Sequence, residues 1–275
     1  MNPSLGIIGL GQMAQAILLP LIEDGRFLPE EVIGVVGKKQ TIKNVLKQIP
    51  DGIKVVSAAD PTAQEAWSAP VQLLAVKPQQ LFNVEADAKA FKFPKLKSKR
   101  LLISILAGVK LHRLAKTFPQ HICIRSVPNT PVLVRSGLTG LSYGQEMPED
   151  QRQVVENIFK PISEVFELPE SLLDAFLALT SSGPAYVALM MEGLADGAVA
   201  AGLPRILASE LTNKTLLGTA LLQKKKNFHP GQLKDMIASP GGTTITALRH
   251  LEMAGFRSAL IEAVVAAAQR SRELG

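Results

Sequence analysis

The first part of the chain alternates short apolar runs with amphipathic segments of helical period. Six predominantly apolar runs are candidates for buried strands, and they lie at residues 5–10, 32–36, 54–57, 71–76, 101–106 and 122–127. Weaker strand candidates follow at 138–143 and 164–167. Helical patterns separate most of the runs, as at 13–23, 40–48 and 79–90. This alternation predicts an α/β domain with a mostly parallel sheet covered by helices on both faces.

After about residue 168 only long apolar segments of helical period remain. They cover residues 171–179, 184–201, 204–223, 231–237, 244–254 and 257–274. We therefore predict an α/β domain at 1–168 and an all-helical domain at 169–275. The later helices are apolar over more of their circumference than one small bundle requires. We expect a second subunit to cover part of that surface.

A glycine-rich turn follows the first apolar run and opens the first helical pattern. Its sequence is Gly9-Leu10-Gly11-Gln12-Met13-Ala14, which is G-x-G-x-x-A between a strand and a helix. The first glycine permits a tight turn, the second lets a pyrophosphate approach the backbone, and a small third residue lets the helix pack on the strand. The motif predicts a doubly wound Rossmann domain that binds a dinucleotide. A glycine turn without a ligand is the alternative.

The end of the second predicted strand indicates which nicotinamide cofactor fits. The segment 37–41 reads Gly-Lys-Lys-Gln-Thr, so it has two cations and no acid. An acid at this place binds the ribose 2′-OH of NAD, whereas Lys38 or Lys39 could pair with the 2′-phosphate of NADP. We expect NADPH, with NADH possible. Two exposed loop lysines without a ligand are the alternative.

Two more loops lie where strands end on the ligand side of such a sheet. The first is Ala75-Val76-Lys77-Pro78, in which the proline ends the strand and displays Lys77 at the edge of the crevice. The second contains Ala107 and Gly108. We assign both loops to cofactor binding. For Lys77, a surface lysine at a turn is the alternative.

Two polar turns in the second half each open a helix. They are Ser181-Ser182-Gly183-Pro184-Ala185 and Ser239-Pro240-Gly241-Gly242-Thr243-Thr244. The first N–H groups of a helix lack intrahelical partners and carry the positive end of its dipole, so both turns suit a carboxylate. The predicted donors are the backbone N–H groups of residues 241–244, where glycines allow close approach. These features together indicate a reductase of a small acidic molecule.

Composition narrows the possible partners. The net charge of +6 comes from scattered basic residues, and the densest runs, 95–100 and 224–226, are too short to favour nucleic acid. The one cysteine, Cys123, excludes an intrachain disulfide and lies in an apolar run, so we expect a buried thiol. Zinc-site spacings are absent, and we expect no metal. No uninterrupted apolar run approaches a membrane span and the N-terminal residues lack a secretory pattern, so we expect a cytoplasmic protein without membrane contact.

The motifs together resemble those of the pyrroline-5-carboxylate reductases over essentially the whole chain. Beyond the glycine fingerprint, the matching segments are AVKPQ at 75–79, ILAGV at 105–109, RSVPNTP at 125–131, SSGPAY at 181–186, GLP at 202–204, HPGQLKD at 229–235, SPGGTT at 239–244 and RSRELG at 270–275. The combination of SGPAY and SPGGTT is the most specific. Val127 and Ser181 stand where the family usually has methionine and glycine, which affects details of the pocket.

The resemblance implies reduction of 1-pyrroline-5-carboxylate to L-proline with NAD(P)H, the last step of proline synthesis. It implies a Rossmann domain followed by an all-α dimerisation domain, in a homodimer or larger homo-oligomer with a shared active site. By motif position it puts the cofactor on residues 9–14, the loop after the second strand, 75–78 and 107–108. It puts the substrate near residues 239–244.

Individual roles follow from the chemistry of the reaction. The Thr244 hydroxyl can donate or accept, so we assign it to orient or protonate the ring nitrogen, and the resemblance points to the same residue. A plain N-cap role for Thr243 or Thr244 is the alternative. We assign Asn129 to the nicotinamide side of the crevice, with a turn-forming role as the alternative. Ser182 and Gly183 are assigned to the substrate, with helix capping or packing as the alternative.

Two other functions stay open at this point. One is a reductase of another imine or of a β-hydroxy acid on the same two-domain plan. The other is a non-catalytic NADP(H)-binding sensor that signals through dimerisation.

Overall fold

The computed structural model describes residues 3–91, 99–144 and 147–274. The basic run at 95–100 therefore lies largely outside the described residues, as does the last residue of the RSRELG motif. The chain forms two compact units. Unit 1 comprises Met1–Ser181 together with Ala267–Gly275, and unit 2 comprises Ser182–Ala266.

Unit 1 is built on one sheet, with eight strands in the described residues. They are β1 Leu5–Ile8, β2 Val32–Val36, β3 Lys54–Ser57, β4 Val71–Leu74, β5 Arg100–Ser104, β6 His121–Pro128, β7 Gly137–Tyr143 and β8 Ser163–Glu167. Their order is β3-β2-β1-β4-β5-β6-β7-β8. Every neighbouring pair is parallel except β6 and β7. The first six strands have the order of dinucleotide-binding sheets, in which the direction of winding changes between β1 and β4.

Helices cover both faces of this sheet. In unit 1 they are α1 Gln12–Glu23, α2 Lys39–Leu46, α3 Glu65–Ser68, α4 Leu81–Ala90, α5 Leu111–Thr117, α6 Glu149–Phe159 and α7 Leu173–Thr180. Short 3₁₀ turns lie at Pro29–Glu31, Pro61–Gln64, Pro78–Gln80, Thr130–Val134 and Glu170–Leu172. Successive strand residues enter different cores: Leu73 packs with α1 and α6, whereas Leu74 packs with α4 and α5. Because side chains alternate along a strand, these are the two faces of a doubly wound sheet.

Unit 2 is entirely helical. It contains α8 Gly183–Ala200, α9 Arg205–Lys226, α10 Pro230–Ile237, α11 Thr243–Met253 and the first part of α12 Phe256–Glu273, whose last turns belong to unit 1. The predicted fold class, a Rossmann domain followed by helices, is confirmed. Each predicted strand is present, with ends within two residues of the prediction. The predicted domain boundary at residue 168 stays a prediction. The compact units divide at residue 181 instead, so that α7 belongs to unit 1.

Unit 2 leaves most of its apolar side chains exposed. Its buried hydrophobic residues are Ala195, Ala208 and Leu233, whereas Ile206 is 86% and Leu189 71% exposed. By length and composition alone, one helical stretch among the described residues, Glu170–Ala200, is apolar enough to cross a membrane, with a mean hydropathy of 1.3. Polar Ser181 and Ser182 interrupt it between α7 and α8. The absence of membrane contact therefore stays a prediction.

Candidate active site

The fingerprint turn has the geometry that its glycines predict. Gly9 has φ +97°, in the region that favours glycine, and a Cβ there would lie 2.7 Å from the carbonyl carbon of Ala75. The N–H groups of Gly9 and Leu10 both donate to the Val35 carbonyl, at 2.9 and 3.2 Å. The turn is thus held against the loop after β4 and the end of β2, and only glycine fits at position 9.

The next two small residues serve opposite purposes. Gly11 is the N-cap of α1, and nothing lies within 4 Å of the position where its Cβ would be. Ala14 is 1% exposed and packs in the core. The first-turn N–H groups, those of Gln12, Met13 and Ala14, have no intrahelical partner, and that turn contains no acid. The open space above Gly11 is therefore suited to an anion at a helix N-terminus.

A cavity of about 680 Å³ opens at this turn, within unit 1. It is lined by residues 8–11, 35–38, 41, 58–61, 63, 64, 67, 75–77, 80, 83, 84 and 87. These positions lie at and beyond the carboxyl ends of β1, β2, β3 and β4, which is where ligands bind in doubly wound sheets. Its size is that of a small-molecule or cofactor site.

The cavity brings together part of the predicted cofactor set. Lining residues from that set are Gly9, Leu10, Gly11, Lys38, Ala75, Val76 and Lys77. The other predicted residues do not line it, so their role stays a prediction; they are Gln12, Met13, Ala14, Lys39, Pro78, Ala107, Gly108 and Asn129. Lys77 is exposed beside the 3₁₀ turn that Pro78 begins, and its N–H donates to Gln80 Oε1 at 3.3 Å. Lys77 thus stands at the rim, as its position before a proline predicts.

Many lining residues lie outside the predicted cofactor set, among them Asp60 and Trp67. Asp60 follows β3, and because β3 pairs with β2, its loop lies beside the loop that carries Lys38. Hydrogen bonds from the side chain and backbone of Thr62 lower the pKa of Asp60, so it is charged at neutral pH. Trp67, the one tryptophan of the chain, also lines the cavity. The loop after β2 has no acid, as predicted, but the cavity around it does.

Asn129 is 4% exposed and its side chain bonds to two backbone groups of unit 1. Its Oδ1 accepts from the Leu138 N–H at 2.8 Å, and its Nδ2 donates to the Thr180 carbonyl at 3.0 Å. Beside it, the Ser181 hydroxyl donates to the Pro128 carbonyl at 3.0 Å. These bonds attach the end of β6 to the end of α7. Direct contact with a cofactor stays a prediction.

The turn before α11 differs from the prediction in one respect. Gly241 has φ +66°, and Gly242 is the N-cap of the helix. The Gly242 N–H donates to the Ser239 carbonyl at 3.0 Å, so the expectation that it is a free donor is wrong. A Cβ on Gly242 would come within 2.3 Å of Ser239 Oγ, so glycine is required to close the turn. The N–H groups of Thr243 and Thr244, in the first turn, have no intrahelical partner.

The alternative that Thr243 or Thr244 is a plain N-cap is also wrong, because Gly242 holds that position. Thr244 is the second helical residue and is half-buried. At the start of α8, Ser182 is the N-cap without a side-chain capping bond, and Gly183 has open space around it. Neither first turn contains an acid. Both are compatible with an anionic ligand.

Other reactive side chains are buried or occupied. Cys123 is buried, as predicted, and burial raises the pKa of its thiol to about 12. Burial, followed by the charge of Arg100, lowers the pKa of His121 to about 4. His229 Nδ1 accepts from the Gly231 N–H at 3.1 Å and caps α10. Within the described ranges no group of three or more His, Cys, Asp or Glu could hold a metal, and the absence of a metal stays a prediction.

Comparison with known proteins agrees with this geometry. Residues 170–274 match the family model described as pyrroline-5-carboxylate reductase dimerisation, and residues 4–108 match that of NADP oxidoreductase, coenzyme F420-dependent. The chain is 47% identical over 276 residues to pyrroline-5-carboxylate reductase of Synechocystis sp., covering 100% of this chain and 99% of that protein. It is 38% identical over 270 residues to the enzyme of that name from Arabidopsis thaliana, covering 98% and 95%.

A solved structure shows the same likeness in three dimensions. The crystal structure of Plasmodium falciparum pyrroline carboxylate reductase with NADP bound matches with a TM-score of 0.87 and 29% identity. The match covers 100% of this chain and 98% of that one. With a full-length relative at 47% identity, the chain belongs to the pyrroline-5-carboxylate reductase family.

Proposed function

We propose that this protein reduces 1-pyrroline-5-carboxylate to L-proline with NADPH, as the last step of proline biosynthesis. The main observation in support is the cavity at the Gly9–Gly11 turn. This cavity occurs in a chain that is 47% identical over its full length to a pyrroline-5-carboxylate reductase. In a reductase of this kind the cofactor supplies the hydride. The protein binds and orients the cofactor and the substrate and assists protonation of the ring nitrogen.

The residues around the cavity fit a dinucleotide phosphate. Open space above Gly11 and the first-turn N–H groups of α1 suit the pyrophosphate. Lys38 lines the cavity where a 2′-phosphate would lie, and Lys39 follows as the first residue of α2. Lys38 and Lys39 favour NADPH as the main cofactor, whereas the Asp60 carboxylate in the adjacent loop disfavours a 2′-phosphate, so we propose NADH as a usable second.

The turn before α11 is the proposed substrate site. Gly241, Thr243 and Thr244 offer backbone N–H groups to the carboxylate, while Gly242 and Ser239 shape the turn. The Thr244 hydroxyl orients or protonates the ring nitrogen as the C=N bond is reduced. Ser182 and Gly183 at the start of α8 complete the proposed substrate set. Their support is the acid-free first turns of both helices.

The proposed assembly is a homodimer or larger homo-oligomer with a shared active site. Its support is the exposed apolar surface of unit 2, where Ile206, Leu189 and Met253 are each more than 70% exposed. A monomer seldom leaves so much apolar surface in water. The match to a dimerisation model over residues 170–274 points the same way. We propose a cytoplasmic location without nucleic-acid or membrane partners.

A hydroxyl-specific pair of variants tests the catalytic assignment. Thr244→Ala is expected to lower kcat by about 10- to 1000-fold, since general acid assistance contributes up to 10²–10⁴-fold. Thr244→Ser keeps the hydroxyl and is the matched control, expected to stay within about threefold of the parent. Activity is followed as NADPH oxidation with pyrroline-5-carboxylate, with proline identified as product. An unchanged rate in the alanine variant removes the role of Thr244, and a parent without proline formation refutes the proposed function.

A further inference from the structure

A fully buried arginine lies at the carboxyl edge of the sheet in unit 1. Arg125 is 1% exposed and is paired in register with Ser104, the last residue of β5. A guanidinium cannot be deprotonated in a protein, so a buried one needs anionic partners. Those partners bring together segments that are distant in the sequence.

Two carboxylates hold this charge. Arg125 Nη2 lies 2.7 Å from Asp174 Oδ1, and Nη1 lies 3.5 Å from Glu170 Oε1. Asp174 Oδ1 also accepts from the Ser271 hydroxyl at 2.8 Å. The arginine thereby fixes the start of α7 and the preceding 3₁₀ turn to β6. Glu170 is the partly exposed member, since its side chain is 28% accessible.

Glu170 makes a second and shorter contact. Its Oε1 accepts the backbone N–H of Leu111 at 2.6 Å. Leu111 is the first residue of α5, so this N–H has no intrahelical partner, and the preceding Lys110 gives no side-chain cap. The carboxylate is thus shared between the buried guanidinium and the start of a helix 59 residues earlier in the chain. A hydrogen bond to an ionised acceptor is roughly twice as strong as a neutral one.

The segment that this bond holds is the loop before α5. Ala107 and Gly108 lie within four residues of Leu111, and Gly108 turns the chain with φ +76°. Val109 between them and the helix is 1% exposed, so the loop is also anchored from below by packing. Water could satisfy the Leu111 N–H equally well if only hydrogen-bond satisfaction mattered. A carboxylate fixed by Arg125 instead sets the position of the helix start.

We propose that Glu170 is a positioning residue for the cofactor. With Arg125 as its buried counter-charge, its carboxylate holds the start of α5, and so the Ala107–Gly108 loop, where that loop meets the nicotinamide cofactor. The inference rests on the proposed function and on the predicted role of the Ala107–Gly108 loop in cofactor binding. It adds a residue outside the cofactor motifs that controls cofactor affinity.

The bond can be removed from either side. Glu170→Ala deletes the acceptor. Leu111→Pro deletes the donor, and proline suits this position because it is the first of the helix and Lys110 is extended, with φ −79° and ψ 153°. Leu111→Ala is the matched control, since it shortens the side chain but keeps the N–H. Glu170→Gln keeps an acceptor without the charge.

Steady-state kinetics with NADPH and pyrroline-5-carboxylate give the readout, below the melting temperature of every variant. Glu170→Ala and Leu111→Pro are each expected to raise the KM for NADPH by about five- to twentyfold, because the bond acts on the cofactor only through the loop and part of its roughly 10- to 100-fold contribution is transmitted. The KM for pyrroline-5-carboxylate and kcat stay within about threefold. Glu170→Gln is intermediate and Leu111→Ala resembles the parent. The double variant Glu170→Ala/Leu111→Pro shows no further increase, because both changes remove the same bond.

Unchanged KM values in both single variants, or effects that multiply in the double variant, would overturn the inference. So would a lower melting temperature of Glu170→Ala without any change in KM, since that is a structural role alone. If Glu170→Ala does not fold, Leu111→Pro and Glu170→Gln decide the question by the same criteria. Failure of the proposed function looks different, since the parent itself would then form no proline.

Discussion

Replacing Gly11 with alanine tests the cofactor site while leaving the fold intact. The backbone at Gly11 has φ −83° and ψ −175°, which alanine adopts without strain, and no atom lies within 4 Å of the new methyl group. Alanine is a poorer N-cap than glycine by a few tenths of a kcal/mol up to about 1 kcal/mol. It also restricts the unfolded chain, which stabilises by about 0.4–1 kcal/mol. The free energy of unfolding should therefore change by no more than about 0.5 kcal/mol.

The effect on cofactor binding is expected to be much larger. The methyl group enters the open space where we propose that the first-turn N–H groups of α1 bind the pyrophosphate. Losing one hydrogen bond to a charged group costs about 1.5–3 kcal/mol, so NADPH affinity should fall by about 10- to 100-fold. Gly9→Ala makes the contrast. Its φ of +97° and a Cβ 2.7 Å from the Ala75 carbonyl carbon predict a loss of stability above about 2 kcal/mol.

Binding is measured through Trp67, because this tryptophan lines the cavity and reduced nicotinamide absorbs where tryptophan emits. Titration with NADPH gives the Kd, and urea unfolding gives the stability of each variant. Gly11→Ala should combine parental stability with weak binding, while Gly9→Ala loses both. A Gly11→Ala variant that binds NADPH within twofold of the parent would refute the placement of the pyrophosphate over this turn.

Three further predictions concern cofactor preference and stability. Asp60→Asn removes a negative charge from the cavity, so the ratio of kcat/KM for NADPH to kcat/KM for NADH should rise by about two- to fivefold. The control Asp51→Asn changes an exposed residue outside the cavity and should leave this ratio unchanged. An unaltered ratio in Asp60→Asn would show that Asp60 does not affect cofactor choice. The pKa of buried His121 is about 4 against an ordinary 6.5, so between these values the unfolded chain binds a proton that the folded chain does not. The free energy of unfolding that neutral His121 contributes is therefore largest above pH 6.5 and falls by about 3 kcal/mol towards pH 4. As the pH is lowered through this range, the urea midpoint of His121→Leu should fall less steeply than that of the parent. Parallel curves of urea midpoint against pH would contradict this. Ser181→Gly introduces the residue usual in the family and removes the hydrogen bond to the Pro128 carbonyl. The free energy of unfolding should therefore drop by about 1–2 kcal/mol. An unchanged urea midpoint would show that this bond does not contribute to stability.

Most of the fold could be predicted because the strands are short, predominantly apolar runs. Parallel strands buried on both faces, such as β2 Val32–Val36, leave that signature without ambiguity. The predicted ends of β1, β4 and β5 are each two residues too late, because Leu10, Val76 and Leu106 are apolar but lie in the turns that follow these strands. The helices of the second half were predicted by their period. Their exposed apolar faces could also be predicted, because these helices are apolar over more of their circumference than a single bundle requires.

For the candidate site as well, local sequence patterns could be predicted and long-range contacts could not. Residues in local motifs, such as Gly9, Gly11 and Lys77, were predicted because strand–turn–helix spacing fixes their place. Asp60 was not, because it reaches the cavity only through the pairing of β3 with β2. The Arg125 cluster was not predicted either, since its partners Glu170 and Asp174 are 45 and 49 residues away. Such contacts depend on sheet order, which one sequence does not specify residue by residue.

Isotope transfer tests the central claim most directly. The protein is incubated with NADPH deuterated at the transferable C4 position and with unlabelled 1-pyrroline-5-carboxylate, and the product is analysed by NMR and mass spectrometry. We expect L-proline carrying one deuterium at Cδ, the carbon of the reduced C=N bond. Proline without deuterium, or NADPH that is bound but not oxidised, would contradict the account.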